Sequence, residues 1–546
     1  MIKKTKGRIL LISLILLSLI ISACNLNKST DGEIISQGDD SNESKEVLTQ
    51  DLEENILKPL PQHALGLIAA NRIVAETNRD DIMNRIDELF YPFDGREVEI
   101  PLSQIRFAFE LENEKNTWKS SVSLSDAKYD INHFFKLLRH TYAGYQYFGG
   151  DKVFLSARDN ILEELENRNR DQISRVIFSK MLRDNLDFIQ DTHFFIDGKV
   201  LADIFNFVRS EKYEFLIDDE GFYTILDDEK FHVVSIDNKS PDEFMKLSIN
   251  KEGEVVYFLG SLIKEASIKR ILLELKNDEE RIEKSIALVQ TLQFISGEER
   301  TYKLSEVDNI PLIEVRSMMP MSESDTSLVQ FIEDAKKLKG EEVIIIDLRS
   351  NGGGFRYYLQ KWIYNFSGYE TTDFSSFNFR VMSNINSKMF EGFWFEKMHD
   401  AEAYYMNKTL SSLRIDLPED QRWASPIWDV DINIEQGKFK NDTLIVALMD
   451  NKTASAGEMF IERLKRFENV IVVGTNSRGS LLITSGLMAL LPNSEIYVAY
   501  GPSMFRNPLL ENIDGKGLKP DFWVSPADSL DRILKLMDNY LLLHNK

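Results

Sequence analysis

A chain of 546 residues with 43% hydrophobic and 11% aromatic residues can bury a large core. This composition excludes a wholly disordered protein, and the length suggests about two to four domains. The chain carries 65 Lys and Arg against 88 Asp and Glu, a net charge of -23. With no local basic patch to offset that charge, general nucleic-acid binding is excluded as a function.

Residues 1–24 have the pattern of an export signal. Four basic residues within positions 3–8 precede an apolar run, residues 9–21, which is shorter than the roughly 20 residues that a spanning helix needs. The run ends in ISAC, which resembles a bacterial lipobox and implies that Cys24 is lipidated and anchors the chain to a membrane. The alternative is an ordinary signal peptide with an incidental cysteine. Cys24 is the only cysteine, so no disulfide can form within the chain.

Residues 25–56 are polar and are predicted to form a tether that separates the folded domains from the membrane. Residues 57–200 are predicted to form a mostly helical domain, with a helix near 82–90 and a strand near 98–105. Apolar residues recur at helical spacing between Leu124 and Ile189, and the aromatic segment HTYAGYQYFGG suits a packed turn between helices. His193 follows the last of these helices, at a helix-to-strand junction beside Thr192.

Residues 213–300 are predicted to form a small mixed β/α module. Short strand-like pieces with turn residues between them come first, and the charged segment SLIKEASIKRILLELKNDEERIEKSIALVQ is interpreted as helical. The portion VVSIDNKSP looks like part of a PDZ-type module, although the usual carboxylate-binding loop is not evident. The alternative is an insert that packs against the core or guides the substrate.

Residues 301–546 alternate strands and helices, which predicts an α/β domain with a largely parallel sheet covered on both faces. The predicted strands include Ile310–Val315, Glu342–Leu348, Leu444–Met449 and Val470–Gly474, and a hairpin is predicted over 487–500. Residues 368–441 interrupt this pattern with an irregular, aromatic-rich stretch. A connection of that length indicates a lid or a substrate-binding insertion.

Ser455, in the segment TASAGE, lies where a buried strand gives way to a helix. Backbone N–H groups at a helix start lack partners within the helix and favour negative charge, which suits a nucleophile whose attack creates an oxyanion. The alternative is that Ser455 serves only as the N-cap of the helix. Three glycines, Gly352 to Gly354, follow another buried strand in RSNGGG, where unobstructed backbone N–H groups can approach an anion. A plain strand-to-helix turn is the alternative for these glycines.

Four ordered motifs, DLRSNGGG, TASAGE, VVGTNSRG and DGKGLKPD, together resemble the C-terminal processing (tail-specific) peptidase family. The resemblance covers about residues 305–530. It implies a ClpP/crotonase-like α/β core, an N-terminal helical region and an acyl-transfer reaction at Ser455. It also implies an oxyanion hole formed by the N–H of Ala456 together with that of Gly353 or a neighbour such as Gly352.

One departure from that family concerns the base. Ser480 stands where the tail-specific branch has its catalytic lysine, Arg478 stays protonated and cannot act as a base, and Lys452 is expected to be solvated. The tricorn-core branch uses histidine instead, and resemblance to it implies His193 as the base, with Thr192 supporting the site. The same resemblance implies Asp514, or Glu511 as the near alternative, as the carboxylate that orients the base. Taken alone, a histidine at a helix end is more often structural.

The remaining histidines show no metal-ligand spacing, so neither a metal nor an organic cofactor is implied. The sequence therefore predicts a lipid-anchored, extracytoplasmic serine endopeptidase of the bacterial cell envelope that acts on peptides or unfolded proteins. One alternative is an inactive surface lipoprotein that uses the same fold to bind peptides or proteins. Another is an esterase that acts on small substrates.

Overall fold

The computed structural model describes residues 59–541. It leaves out residues 73–79, 81–83, 94–99, 101–104, 106–118, 295–299, 390–426 and 507–510, together with gaps of one to three residues elsewhere. Cys24, the export signal and the tether lie outside the described residues, as do most of the strand expected near 98–105 and much of the 368–441 insertion. Within the described part of the chain, no helix is both long and apolar enough to cross a bilayer.

The N-terminal region is mostly helical, as predicted. Its helices are α1 (Gln62–Ala70), α2 (Ile86–Leu89), α3 (Leu124–Thr141), α4 (Gly150–Glu166) and α5 (Arg175–Asn185). Ser123 and Ser174 cap α3 and α5 by accepting hydrogen bonds from the first-turn N–H groups of Asp126 and Ile177. The caps lie on the short antiparallel pair β1 (Ser121–Ser123) and β2 (Gln172–Ser174). The aromatic turn between α3 and α4 is packed as expected, with Tyr142 and Tyr145 buried.

Residues 205–290 form a module of antiparallel strands. They are β5 (Phe205–Asp218), β6 (Gly221–Leu226), β7 (Glu229–Ile236), β8 (Met245–Ile249), β9 (Val255–Lys264), β10 (Ile268–Lys276) and β11 (Arg281–Gln290). The order is β11-β10-β7-β6-β5-β9-β8, and β11 also pairs with β5, so part of the sheet closes on itself. Apart from a single 3-10 turn, Pro241–Glu243, the described residues of the module are strands and loops.

The helices predicted near the end of this module were therefore wrong. In β10 the buried Ile271, Leu273 and Leu275 alternate with more exposed residues, a period of two that places one face of the strand in the core. Paired with β11 in register, Leu273 opposite Lys284, this face completes the sheet. The strand-only architecture gives no support to a PDZ-type module.

The predicted α/β core is confirmed. Its six-stranded sheet has the order β12-β13-β14-β17-β18-β22, where β12 (Tyr302–Val307) is antiparallel to β13 (Ile310–Val315) and the following neighbours are parallel. The other strands are β14 (Val343–Asp347), β17 (Leu444–Met449), β18 (Val470–Gly474) and β22 (Phe522–Trp523). The helices of the core are α6 (Ser327–Lys337), α7 (Arg356–Ser367), α8 (Ala456–Leu464) and α9 (Ser529–Leu536), and a π-helical turn, Met537–Leu541, follows.

Both faces of this sheet are covered. Ile344 and Ile346 of β14 pack into the apolar cluster that contains α6, α7 and α8. Val343 and Ile345 point the other way, into a cluster shared with α9, the strand module and α1. Continuous apolar strands are the expected consequence of burial on both sides.

Two smaller sheets connect the regions. Strands β15 (Phe374–Met382) and β16 (Ile427–Gln436) of the insertion pair with each other, and β15 also pairs with β21 (Ser503–Arg506). The predicted hairpin is β19 (Leu487–Leu490) with β20 (Tyr497–Tyr500). It continues onto β3 (Phe195–Ile196) and β4 (Lys199–Val200), which follow His193 directly. This pairing fixes the His193 segment against the core.

Candidate active site

The carboxyl ends of the parallel strands bring the predicted motifs to one edge of the sheet. The loop after β14 carries the three glycines, the loop after β17 carries Ser455, and the loop after β18 carries Ser480. Two hydrogen bonds join the first two loops, from Ala454 N–H to the Asn351 carbonyl oxygen (2.8 Å) and from Ser350 N–H to Asp450 Oδ1 (2.9 Å). Such an edge is the usual location of sites in parallel α/β folds.

Ser455 occupies a strained backbone conformation at the start of α8. Its φ is 50° and its ψ is -116°, whereas an ordinary N-cap serine has an extended backbone. It is partly exposed, although Ala454 and Ala456 on either side are buried. A non-glycine residue at positive φ is unfavourable and occurs most often at functional sites. Ser455 therefore occupies the N-cap position of α8, but it lacks the extended backbone of an ordinary N-cap serine.

The two loops that carry the predicted oxyanion N–H groups are hydrogen-bonded to each other, but one of these N–H groups already has an acceptor. Gly353 N–H donates to Asn351 Oδ1 (2.9 Å), so the group first expected to bind the oxyanion is already used. Among the described residues, the N–H groups of Gly352 and Ala456 donate to no acceptor. These two are the groups that remain free to stabilise negative charge.

Glu458 connects the Ser455 turn to the loop after β18. Its Oε2 accepts from the N–H of Ser455 (2.9 Å) and of Ser480 (2.8 Å), and its Oε1 accepts from Gly479 N–H (2.6 Å) and the Ser477 hydroxyl (2.5 Å). Burial raises the pKa of Glu458 to about 7, and these donated hydrogen bonds oppose the rise. The sequence analysis missed this residue, although the spacing Ser-x-x-Glu in TASAGE is a capping-box signal.

Thr192 and Asp514, which the family resemblance assigned to the site, contact each other. Asp514 Oδ2 accepts from Thr192 N–H (3.0 Å) and lies 3.2 Å from Thr192 Oγ1. That hydroxyl also lies 2.7 Å from the Gly479 carbonyl oxygen and 2.8 Å from Ser480 Oγ. Thr192 therefore links the N-terminal region to the same loop that Glu458 binds.

Asp514 and Glu511, the two candidate carboxylates, differ in burial. Asp514 is buried and its Oδ1 accepts from the N–H groups of Leu481 and Leu482 (3.0 Å each), whereas Glu511 is exposed. Burial raises the pKa of Asp514. Neither oxygen of Asp514 bonds to the His193 ring, so the expected direct contact between carboxylate and imidazole is not observed. Asp514 reaches His193 only through the adjoining Thr192.

His193 is buried in a neutral form. Its backbone N–H donates to Asp191 Oδ1 (2.8 Å), and Asp191 Oδ2 accepts from the Tyr142 hydroxyl (2.9 Å), two partners that the sequence analysis did not single out. Burial lowers the pKa of His193 to about 4, with a weaker opposing effect from the Ile483 backbone. Neither ring nitrogen has a hydrogen bond of normal length and angle within the part of the chain that the structure describes, Ser455 included, and the Ile483 backbone approaches the ring without that geometry.

Three other predicted features can be placed. Ser480, in the position of the family lysine, is buried and its hydroxyl faces Thr192. Lys452 is exposed, which agrees with the expected solvated side chain. Across the described ranges, no group of three or more His, Cys, Asp or Glu residues is arranged to hold a metal ion.

Comparison with known proteins identifies one similar family. Residues 309–524 match the family model of peptidase family S41. No curated protein matches the chain. Among solved structures, mature CPAF is 13% identical over 76% of this chain and 95% of its own, with a TM-score of 0.39.

The photosystem II D1 C-terminal processing protease is 13% identical over 75% of this chain and 96% of its own, with a TM-score of 0.31. A peptidase from Parabacteroides merdae is 12% identical over 74% of this chain and 90% of its own, with a TM-score of 0.32. The matched segment, residues 309–524, contains the glycine loop, Ser455 and Ser480. Through this segment the chain is similar to peptidase family S41, the C-terminal processing serine peptidases.

Proposed function

We propose that the chain cleaves peptide bonds through an acyl-enzyme, with Ser455 as the nucleophile and His193 as the base. The observation that carries the proposal is the backbone of Ser455, which holds a partly exposed hydroxyl at positive φ beside the free N–H of Ala456. A strained serine at a helix start is suited to attack a carbonyl and to stabilise the resulting oxyanion.

In this mechanism Ser455 Oγ attacks the carbonyl carbon of the scissile bond, and its proton passes to the neutral imidazole of His193. The oxyanion accepts hydrogen bonds from Ala456 and Gly352. His193 then donates the proton to the leaving amine, and water repeats the sequence on the acyl-enzyme. Because the ring makes no hydrogen bond to Ser455 in the free chain, the mechanism requires that contact to form when substrate binds.

Thr192, Asp514 and Asp191 are proposed to position His193 rather than to react. Asp514 holds the Thr192 backbone and hydroxyl, and Asp191 holds the His193 backbone. Glu458 has the same role for Ser455, whose N–H it binds. Buried carboxylates on both sides of the histidine would also stabilise the imidazolium that forms during the reaction.

The proposed substrates are peptides or unfolded proteins outside the cytoplasm, reached by an enzyme anchored through lipidated Cys24. The support for the anchor is the basic, apolar and ISAC order of the first 24 residues. A Cys24→Ser variant should move from the membrane fraction to the soluble fraction of cells while its active-site labelling stays unchanged. A variant that remains in the membrane fraction would contradict anchoring through Cys24.

Labelling with a fluorophosphonate probe tests the catalytic residues. The wild type should be labelled, Ser455→Ala should not, and His193→Ala should react about 10²- to 10⁴-fold more slowly because it lacks the base. His232→Ala, which removes a histidine of the strand module, is the matched control and should label like the wild type. Labelling that survives in Ser455→Ala would exclude Ser455 as the nucleophile.

A second candidate is a chain that keeps the fold but only binds peptides. Two observations favour it: Ser480 replaces the family lysine, and the His193 ring is not hydrogen-bonded to Ser455. Folded wild-type protein that binds peptide but is never labelled would support this function. Turnover of small esters without turnover of peptides would instead indicate an esterase.

A further inference from the structure

A cavity of about 340 Å³ lies between α1 and the strand module. Helix α1 contributes His63 and Leu67, β5 and β6 contribute Ile217 and Phe222, β9 contributes Tyr257, and the turn before β8 contributes Asp242. It shares no residue with the Ser455 site. Its volume is near the lower end of the usual range for ligand sites, roughly 300–1,000 Å³, which suits a single side chain.

Three aromatic rings form the walls of this cavity. The Tyr257 and Phe222 rings are 5.0 Å apart between centroids and nearly perpendicular, at 74°. The His63 ring lies 5.7 Å from Tyr257 on another side. Adjacent aromatic faces attract organic cations through their negative quadrupoles. Burial lowers the pKa of His63, so its ring is uncharged at neutral pH and does not repel a cation.

Asp242 adds a carboxylate to the aromatic walls. It is exposed, and its Oδ2 accepts a hydrogen bond from the Ser240 hydroxyl (2.8 Å). No ammonium or guanidinium group lies within 4 Å of Asp242 among the residues that the structure describes. The ammonium of Lys246, in the following strand, instead donates to the Glu243 carbonyl oxygen (2.7 Å). Lys246 attracts Asp242 only from beyond 4 Å, so the carboxylate oxygens of Asp242 stay accessible to the ammonium group of a ligand.

Two exposed apolar side chains also line the cavity. Leu67 and Ile217 both line it and both remain exposed, at 46% and 37%. Such a surface suits the aliphatic part of a ligand whose charged end reaches the carboxylate and the rings. A long methylene stem with a terminal ammonium group has this shape.

We propose that this cavity binds the side chain of a lysine in a polypeptide substrate, with the ammonium between Asp242 and the three rings and the stem on Leu67 and Ile217. The site holds the substrate at a distance from the reacting bond and so favours polypeptides that carry a lysine. The net charge of -23 attracts such cationic segments to the protein. This inference rests on the proposed function, since it assumes a polypeptide substrate.

Peptide binding to the full chain with Ser455→Ala tests the proposal without any catalysis. Fluorescein-labelled flexible peptides that carry one lysine, or norleucine in its place, are compared by fluorescence anisotropy. The lysine peptide should bind about 2- to 30-fold more tightly. Asp242→Asn, which removes the charge at constant size, and Phe222→Leu, which removes one ring, should each reduce this preference.

Asp228→Asn is the matched control, since Asp228 is an exposed carboxylate in the turn between β6 and β7 of the same module. It should leave the lysine preference unchanged. Equal affinity for the lysine and norleucine peptides would overturn the proposal, and so would a loss of preference in Asp228→Asn as large as in Asp242→Asn. Fluorophosphonate labelling of chains with Ser455 intact reports on the proposed function separately, so the two failures are distinguishable.

Discussion

The Glu458 side chain joins the Ser455 turn to the loop after β18 by hydrogen bonds. Each of its two oxygens accepts two hydrogen bonds, so the carboxylate holds the Ser455 turn against the loop that carries Ser477, Gly479 and Ser480. This arrangement also keeps Ser480 beside Thr192, next to His193. The position of the proposed nucleophile relative to the proposed base is therefore set in part by a residue that need not touch the substrate.

Glu458→Gln should lower the rate of Ser455 labelling by about tenfold or more. The amide NH2 of glutamine would face two donors that the carboxylate now accepts, and each unsatisfied buried group costs about 1–3 kcal/mol. The rate of Ser455 labelling is measured from samples taken at successive times after fluorophosphonate is added, and the loss of stability is measured by thermal unfolding. Glu333→Gln, which removes only an exposed ion pair with Lys336, should change neither. Wild-type labelling by Glu458→Gln would contradict this role.

His193 predicts a pH dependence of stability. Its pKa is about 4 in the folded chain and 6.5 when the ring is solvated, so between these values the unfolded state binds more protons. Above pH 6.5 the neutral buried ring makes its full contribution to the free energy of unfolding. As the pH falls to 4, that free energy decreases by roughly 3 kcal/mol.

The measurement is the difference in unfolding temperature between the wild type and His193→Gln at several pH values. Burial raises the pKa of Asp191 and of Asp514, and both residues are present in both proteins, so most of their titration cancels. As the pH falls from 6.5 to 4, the unfolding temperature of the wild type should fall relative to that of His193→Gln. Above pH 7 the difference between the two should stay constant. A difference that does not change with pH would show that the ring is solvated.

At the scale of elements, the turn after β18 requires glycine at position 479. Gly479 has a φ of 73°, and a Cβ there would lie 2.3 Å from the Ile513 carbonyl oxygen, in the segment that leads to Asp514. Gly340, before β14, also has a positive φ, of 95°, but a Cβ there would meet nothing within 4 Å. Any other residue would be strained by the positive φ at either position, but its Cβ would clash with the backbone only at position 479.

Gly479→Ala should therefore destabilise the chain and slow Ser455 labelling more than Gly340→Ala does. The left-handed conformation costs each variant about 1–2 kcal/mol, and only Gly479→Ala must also displace the 513–517 backbone from Thr192 and Ser480. Unfolding temperature and labelling rate are measured in parallel. Equal losses in the two variants would mean that the turn adjusts without disturbing the site.

The sequence predicted an element correctly where its residue pattern is compatible with only one type of secondary structure. The apolar run Val343–Asp347 reads as a buried strand because helices and the module cover its two faces. In β10 and β11 the charged residues suggested helices, because the alternation of Ile271, Leu273 and Leu275 is weaker than their overall mix of charge and leucine. Whether such a segment forms a strand or a helix is determined by its pairing with neighbouring strands.

Motifs in the sequence located Ser455 and the glycine loop, because each follows its own buried strand. The family resemblance pointed to His193, Thr192 and Asp514, but the contact of Thr192 with Asp514 was not predicted. The bonds of Glu458 come from residues about 20 positions later, and Gly353 N–H is taken by Asn351, a local contact that no spacing reveals. Tyr142 and Asp191 act through the backbone of His193, which leaves no sequence signature.

At the scale of the whole molecule, the module, the N-terminal segment and the core share one apolar cluster. Ser248 Oγ and Arg209 Nη1 of the module both donate to the Trp523 carbonyl oxygen of β22, at 2.7 and 3.0 Å. The residues after α1 bind the same edge of the core. The proposed lysine cavity is thus held in a fixed relation to the catalytic domain.

Arg72 forms a buried ion pair in this arrangement. Its guanidinium pairs with Asp521 (3.1 Å) and donates to the Val470 carbonyl oxygen (2.5 Å), and the Asp521 side chain is fully buried. Asn71 Nδ2 also donates to Asp521 Oδ1 (2.9 Å), and Val472 N–H donates to its Oδ2 (2.8 Å). The pair therefore connects the end of α1 to two strands of the catalytic core.

Arg72→Met should lower the free energy of unfolding by about 3 kcal/mol, because it removes the cation that pairs directly with a buried carboxylate. Arg85→Met, which removes an exposed pair with Glu88, should change it by less than about 1 kcal/mol. Urea unfolding followed by tryptophan fluorescence compares the two. Adding Asp521→Asn to Arg72→Met should recover part of the loss, since the unpaired charge is then gone. If both arginine variants unfold at the same urea concentration, the N-terminal segment does not stabilise the core through Arg72.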